Sequence, residues 1–284
     1  IVIALFLSTS VLSVFRLRHV ESQFEKTSVK DETKNTSVLE GLLALWKNNS
    51  WRNLIIGTSL FGVVGSLSGV FSIYLINYFW QWLPNEFTLI LALSIPGAMI
   101  AGLSANKLLK DKDKKRSVLV LTGLMITVGP SLTILRIIDI KFQSNILPEV
   151  GLGILSALFG LVALHSAFMA GVRVINGILF SSMFSDVVED HQNSTHARSE
   201  GLIISVNGLS GKVFGGIGVL LSGLLLSLAG FGEDGSIEEK REAVTNLAIF
   251  STSLLYIIAP ISLYCISKYE INKSIHEDNL TNLG

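Results

Sequence analysis

Residues 54–85 read LIIGTSLFGVVGSLSGVFSIYLINYFWQWLPN, and from Leu54 to Asn85 there is no Asp, Glu, Lys or Arg. A helix needs about 20 apolar residues to cross the hydrocarbon core of a bilayer. This stretch is long enough to cross with tilt to spare. Outward from it, a shorter apolar run occupies 1–15, and six full runs lie near 54–80, 87–107, 117–138, 150–185, 202–230 and 243–267. The expected fold class is an all-α polytopic membrane protein. Pro96, Pro130 and Pro260 fall inside these runs, where a bilayer tolerates them as kinks if neighbours satisfy the freed carbonyls. The 150–185 run is too long for one upright span and must tilt, protrude or bend at a glycine.

Composition agrees with a membrane setting. Hydrophobic residues make up 49% of the 284, charged residues only 15%, and the mean hydropathy is +0.56. Soluble domains carry roughly 25% charged residues. The 22 basic and 22 acidic residues balance, so no net field favours nucleic acid as a partner. The single cysteine, Cys265, rules out an intrachain disulfide or a thiolate metal cluster and reads as a small apolar side chain.

The first run is followed by Arg16 and Arg18, whereas a signal peptide carries its basic residues ahead of the apolar core. The expected organisation is the end of a truncated transmembrane helix at 1–15, a cytoplasmic linker with an amphipathic segment at 16–53, a six-helix bundle at 54–267 and a cytoplasmic tail at 268–284. On this reading the chain is a fragment. Residues 20–36 are polar and aperiodic, as a flexible linker would be. Leu39, Leu42, Leu43 and Trp46 recur at helical spacing, which suits either a helix lying on the membrane or a stiff approach to the first full span.

Loop charge gives the orientation. Segments 16–53, 107–116, 186–200 and 268–284 hold sixteen Lys and Arg, against four in 81–86, 136–149 and 231–242. Basic loops stay cytoplasmic, so the N-terminal loop and the C-terminus are expected in the cytoplasm.

Two basic residues remain inside apolar runs. Arg173 lies thirteen residues before Asp186, about 20 Å along a helix, and Lys212 lies twelve residues after Glu200, about 18 Å along the next. A charge at mid-bilayer costs roughly 2.5–3.5 kcal/mol on insertion scales, so both side chains should face the bundle interior or a watery cavity. There they either contact a polar substrate or its conformational machinery, or form a structural pair with a carboxylate or helix-end carbonyls. Met169, Asn176 and Phe180 share the Arg173 face. Asn176 and Arg173 together offer an amide and a five-donor fork suited to sugar hydroxyls. His165, two turns away, is either part of that face or bonded to a neighbouring helix.

Around Lys212 the run from Asn207 to Ser222 contains the small pairs Gly211/Gly215 and Gly218/Ser222, which let helix backbones approach closely. Asn207 adds an amide to this helix. At the end of the first full span, Tyr74, Asn77 and Tyr78 are candidate pocket residues, whereas Trp80 and Trp82 are assigned to an interfacial aromatic belt.

Two loops carry a resemblance. Gly102 to Arg116 is similar to the degenerate second copy of the short basic loop of major facilitator superfamily transporters. The second stretch reads Ser182-Met183-Phe184-Ser185-Asp186-Val187-Val188-Glu189-Asp190, then Arg198-Ser199-Glu200-Gly201-Leu202, with Lys212 in the following span. It resembles the glycoside–pentoside–hexuronide:cation symporter family, the melibiose-permease-like branch of that superfamily. That family has a D-V-V-[DE]-[DY] turn after its tenth helix, a basic-E-G-L opening of the eleventh, and often a lysine one-third along it. Thr195-His196-Ala197-Arg198 departs from the family's T-G-[KR]-R pattern by one basic residue and a glycine.

The resemblance implies the C-terminal six-helix half of a twelve-helix transporter in the cell membrane, working by alternating access about a midplane site. It implies cation-coupled symport of a sugar or glycoside, with Na⁺ or H⁺ bound mainly in the N-terminal half, and no other cofactor. Asp186, Glu189, Asp190, Arg198, Glu200 and Gly201 would form a cytoplasmic gate, the acids accepting from Arg198 or from basic groups of the other half. Alternatively they are a solvated loop whose ion pairs contribute at most about 1 kcal/mol each. Other readings are a carrier of lysophospholipids or similar amphiphiles on the same fold, an integral-membrane enzyme, and a non-transporting remnant. The enzyme reading rests on Asp186–His196, where His191 and His196 lack a spacing such as H-E-x-x-H.

Overall fold

The computed structural model describes residues 38–110, 112–195, 199–232, 234–272, 275 and 279. The expected truncated span at 1–15, the polar linker, His196 and Arg198 lie outside them. Every regular element among the described residues is helical: α1 (Val38–Lys47), α2 (Asn49–Tyr74), α3 (Pro84–Leu109), α4 (Lys114–Thr127), α5 (Ser131–Phe142), α6 (Ala157–Thr195), α7 (Glu200–Leu228) and α8 (Ile237–Ser267). A π turn at Leu75–Phe79 continues α2, and α4 with α5 makes one span, so six segments are long and apolar enough to cross a membrane.

The proline and capping chemistry explains the boundaries. Pro96 and Pro260 sit within unbroken helices, while Pro130 divides α4 from α5. At that break the Val128 carbonyl accepts from Ser131 and lies 2.9 Å from His165 Nε2 on α6, so a neighbouring helix takes up a carbonyl at the break. The Asn48 side chain caps α2 by accepting from the Trp51 amide at 2.9 Å, and Asp113 caps α4 by accepting from the Arg116 amide at 2.7 Å. Gly230, at φ +80°, turns the chain just after α7 in a conformation that costs glycine least.

Some boundaries differ from the sequence reading. The first full span begins at Asn49 rather than 54. The long apolar run enters its helix only at Ala157 and stays helical to Thr195, so Asp186 to Thr195 form helix rather than a loop. At 39 residues, α6 is roughly 58 Å long, which lets it project well beyond a hydrocarbon core of about 30 Å.

Within residues 40–284, α3 and α4 pack on α6, while α2 packs on α7 and α8, and α4 meets α8. The close approach of α3 to α6 depends on Gly97, where any Cβ would strike the Ala167 carbonyl. The approach of α7 to α2 depends on Gly218, where a Cβ would stand 2.5 Å from the Val63 carbonyl. Gly211, by contrast, faces open space, and of the first small pair only Gly215 packs, with Ser66 Oγ of α2 3.2 Å from where its Cβ would stand.

Buried side chains gather at the two ends of the bundle. At the end of the basic loops, Leu45, Trp51, Leu54, Val118, Met183 and Tyr269 belong to one cluster. At the opposite end, Phe79, Trp80, Trp82, Ile90, Phe159 and Val244 belong to another. Trp80 and Trp82 therefore do not form an exposed belt. They stack on each other at 5.4 Å and plug this end, because the π turn swings them inward. In α1 the anchor is Leu45, fully buried, while Leu43 and Trp46 are 59% and 52% exposed and free to meet a membrane surface.

Candidate functional site

Between the two packed ends, α2 turns Gly65, Ser68 and Gly69 toward α4, α6 and α8, side chains too small to fill the space to those neighbours. A cavity of about 570 Å³ opens there, walled by α2, α4, α5, α6 and α8. Its apolar wall includes Phe61, Val64, Phe71, Met125, Met169 and Leu255. Its polar groups are Arg173, Ser68, Ser72, Thr133, Ser251 and Thr252. Ser72 and Ser251 donate to carbonyls of their own helices, leaving oxygen lone pairs open to the cavity. Among the described residues, Arg173, Ser68, Thr133 and Thr252 have no side-chain hydrogen bond or ion pair. A cation thirteen residues, about 20 Å, below the Asp186 layer thus stands at an open wall beside unengaged hydroxyls.

The expected companions of Arg173 part from it. Asn176 is buried, donates to Thr122 Oγ1 at 3.2 Å and approaches the Met125 sulfur, so it ties α6 to α4 instead of facing the cavity. Lys212 is exposed on α7, with no hydrogen bond or ion pair among the described residues, and lies outside the cavity lining. The residue just before Gly211, Ser210, bonds Ser59 across to α2. Tyr74 and Tyr78 pack edge-on against Phe231 at 5.0 and 5.6 Å, and Asn77 is exposed. Asn207 lines a separate crevice of about 280 Å³ between α6 and α7, with Glu189 and Glu200 on its other walls. Gly201 is exposed in the first turn of α7.

The acidic end of α6 is a hub. Lys114 Nζ lies 2.6 and 2.9 Å from the two Asp186 oxygens. The lysine side chain is 31% exposed and the aspartate 4%. The first turn of α4 is Lys114-Lys115-Arg116, three cations against the positive end of the helix dipole. Asp113 and Asp186 supply the opposing negative charge. Tyr269, fully buried just beyond α8, donates toward Asp186 Oδ2 and the Met183 carbonyl, each at 3.3 Å. Burial, then the Asp186 charge, raises the Tyr269 hydroxyl above the ordinary phenol range, so it keeps its proton and donates. One turn on, Asp190 accepts from Asn48 at 2.7 Å, the same asparagine that caps α2. Asn193 donates to Asn279, and the Glu270 amide donates to Ser50.

Among the described residues Asp186 is paired with Lys114, from the first basic loop; the expected Arg198 lies outside the described residues. The two loop motifs meet because α4 and α6 are antiparallel neighbours, with the first residue of α4 beside Asp186, nine residues before the end of α6. Sequence spacing carries no trace of that pairing, which spans 72 positions. The cavity hydroxyls carry no signal in the sequence for a similar reason: they come from α2, α5 and α8 and converge only in the fold.

Among the described residues no three His, Cys, Asp or Glu side chains gather as metal ligands. The sequence profile of the family described as MFS/sugar transport protein matches residues 1–273. Comparison with curated proteins found no match.

Proposed function

Because the chain belongs to the MFS/sugar transport protein family, and is thus a multi-pass transporter with a six-helix half of major-facilitator type, we propose that it carries a sugar or glycoside together with Na⁺ or H⁺. The observation that carries this reading is the Arg173 cavity. A fixed cation flanked by hydroxyls on α2, α5 and α8 suits a solute with many hydroxyls, which needs donors and acceptors from several directions. The exposed apolar faces of α3 and α7, such as Leu91, Met99 and Leu103 or Leu220 and Leu224, supply the surfaces against which lipid or a second six-helix half packs. Rocking of the two halves would expose the cavity to each side in turn.

The Asp186 hub supports a gating role by tying together the ends of α2, α4 and α6 and the segment after α8. The excess of basic residues at this end supports its placement on the cytoplasmic side of the cell membrane. No residue in this half is assigned to the coupling cation, and no reaction chemistry is assigned to the protein.

The test is uptake of labelled sugars and glycosides into proteoliposomes of the full protein under imposed Na⁺ or H⁺ gradients, with wild type beside Arg173→Ala and Arg173→Lys. Gradient-driven uptake that collapses in Arg173→Ala and recovers in part in Arg173→Lys is the expected result. Wild-type uptake in Arg173→Ala would remove this cavity from the pathway. A second reading, an amphiphile carrier, draws on the apolar wall from Phe61 to Leu255. Competition of sugar uptake by lysophospholipid, or lysophospholipid uptake without sugar uptake, would favour it.

A further inference from the structure

At the basic-loop end, α3 and α4 both pack on α6 but hardly on each other, so their ends splay and leave a groove of about 620 Å³. Leu108 and Leu109 of α3, Val120 and Leu121 of α4, and Ile175 of α6 form its apolar walls. Lys112 and Arg116 stand at its mouth with Asp113. We propose that this groove binds one anionic phospholipid, its phosphate held by Lys112 and Arg116 and an acyl chain laid along Leu108, Val120 and Ile175.

The charge at the mouth is uncommitted. Residues 107–116 hold six basic and two acidic side chains. Lys114 is neutralised by Asp186, and one Asp113 oxygen is occupied by capping α4. Lys112 and Arg116 are exposed and, among the described residues, have no side-chain hydrogen bond or ion pair. The depth also matches. Val120 lies six residues into α4 from Lys114, about 9 Å below the loop, where a headgroup gives way to hydrocarbon. Val120 and Leu108 are 63% and 45% exposed, so the wall meets lipid rather than core. A guanidinium fork and an ammonium over an apolar slot match a phosphodiester with a tail, whereas a free phosphate would leave the slot unused.

The test is native mass spectrometry of the full protein released from bilayer discs of phosphatidylcholine containing some phosphatidylglycerol. Wild type is expected to retain phosphatidylglycerol. The pair Lys112→Gln/Arg116→Gln should lower its occupancy by roughly thirtyfold, about fivefold for each basic side chain at a membrane surface. Val120→Trp, which fills the slot without changing charge at an exposed position, should lower it as well. Lys47→Gln/Arg52→Gln, two cations removed at the same end but away from the groove, should leave it intact. Retention in Lys112→Gln/Arg116→Gln, or equal loss in the Lys47/Arg52 control, would overturn the proposal in favour of diffuse attraction. Loss from Lys112→Gln/Arg116→Gln with none from Val120→Trp, and displacement by inorganic phosphate, would also overturn it, leaving a phosphate site without a lipid slot.

Discussion

Replacing Lys114 by Gln removes the cation from a carboxylate that is only 4% exposed, while replacing Asp186 by Asn leaves a lysine that is 31% exposed. The two losses should differ. Breaking a fully buried pair costs roughly 3–5 kcal/mol, because the remaining charge stays uncompensated. An exposed pair contributes at most about 1 kcal/mol. Lys114→Gln removes the lysine from the buried member, which keeps its other contacts, among them the Tyr269 hydroxyl at 3.3 Å, and about 2 kcal/mol is expected. Asp186→Asn strands the half-wet member, whose ammonium can turn to water, and about 1 kcal/mol is expected. With both changed, the pair is removed as a whole, so the double variant should lose less than the sum by about 1 kcal/mol. The assay is reversible denaturant unfolding of the reconstituted protein, with hydrogen exchange at the start of α4 as a local readout. An Asp186→Asn loss equal to or larger than that of Lys114→Gln, or strict additivity in the double variant, would refute the reasoning.

Three further outcomes are expected. Gly97→Val should weaken the α3–α6 contact by about 1–3 kcal/mol or more, because its Cβ meets the Ala167 carbonyl, whereas Gly102→Ala, with only a Val174 methyl at 3.7 Å, should not; size-exclusion profiles after detergent extraction would separate them. Tyr269→Phe should cost about 0.5–1.5 kcal/mol, the value of its long hydrogen bonds, and Tyr269→Ala about 3–5 kcal/mol for the emptied core site; near-equal losses by unfolding would place its role in the hydroxyl instead. Lys212→Ala should stay within about 0.5 kcal/mol of wild-type stability, since the side chain is exposed, yet impair uptake; unchanged uptake would leave that lysine without a role in transport.

The sequence alone determined the helices and the class of protein. Apolar runs longer than a bilayer is thick have few physical outcomes, so the six spans were legible from hydropathy, and the Asp186–Gly201 motif was enough to name the family to which the chain belongs. Helix ends were less legible, because a helix such as α6 does not stop where hydrophobicity does. In its acidic turn, which stays helical, two carboxylates have partners on other elements, Lys114 for Asp186 and Asn48 for Asp190. Tertiary structure also decided which face of each helix is which. Arg173 and Asn176 lie one turn apart, yet one meets the cavity and the other is sealed against Thr122. Trp80 and Trp82 look interfacial by position but are turned inward by the π turn. The physical reason is common to these cases. Hydropathy is a property of a residue and its immediate neighbours, whereas the partner of a charge, an amide or a ring is set by how helices far apart in the chain come together.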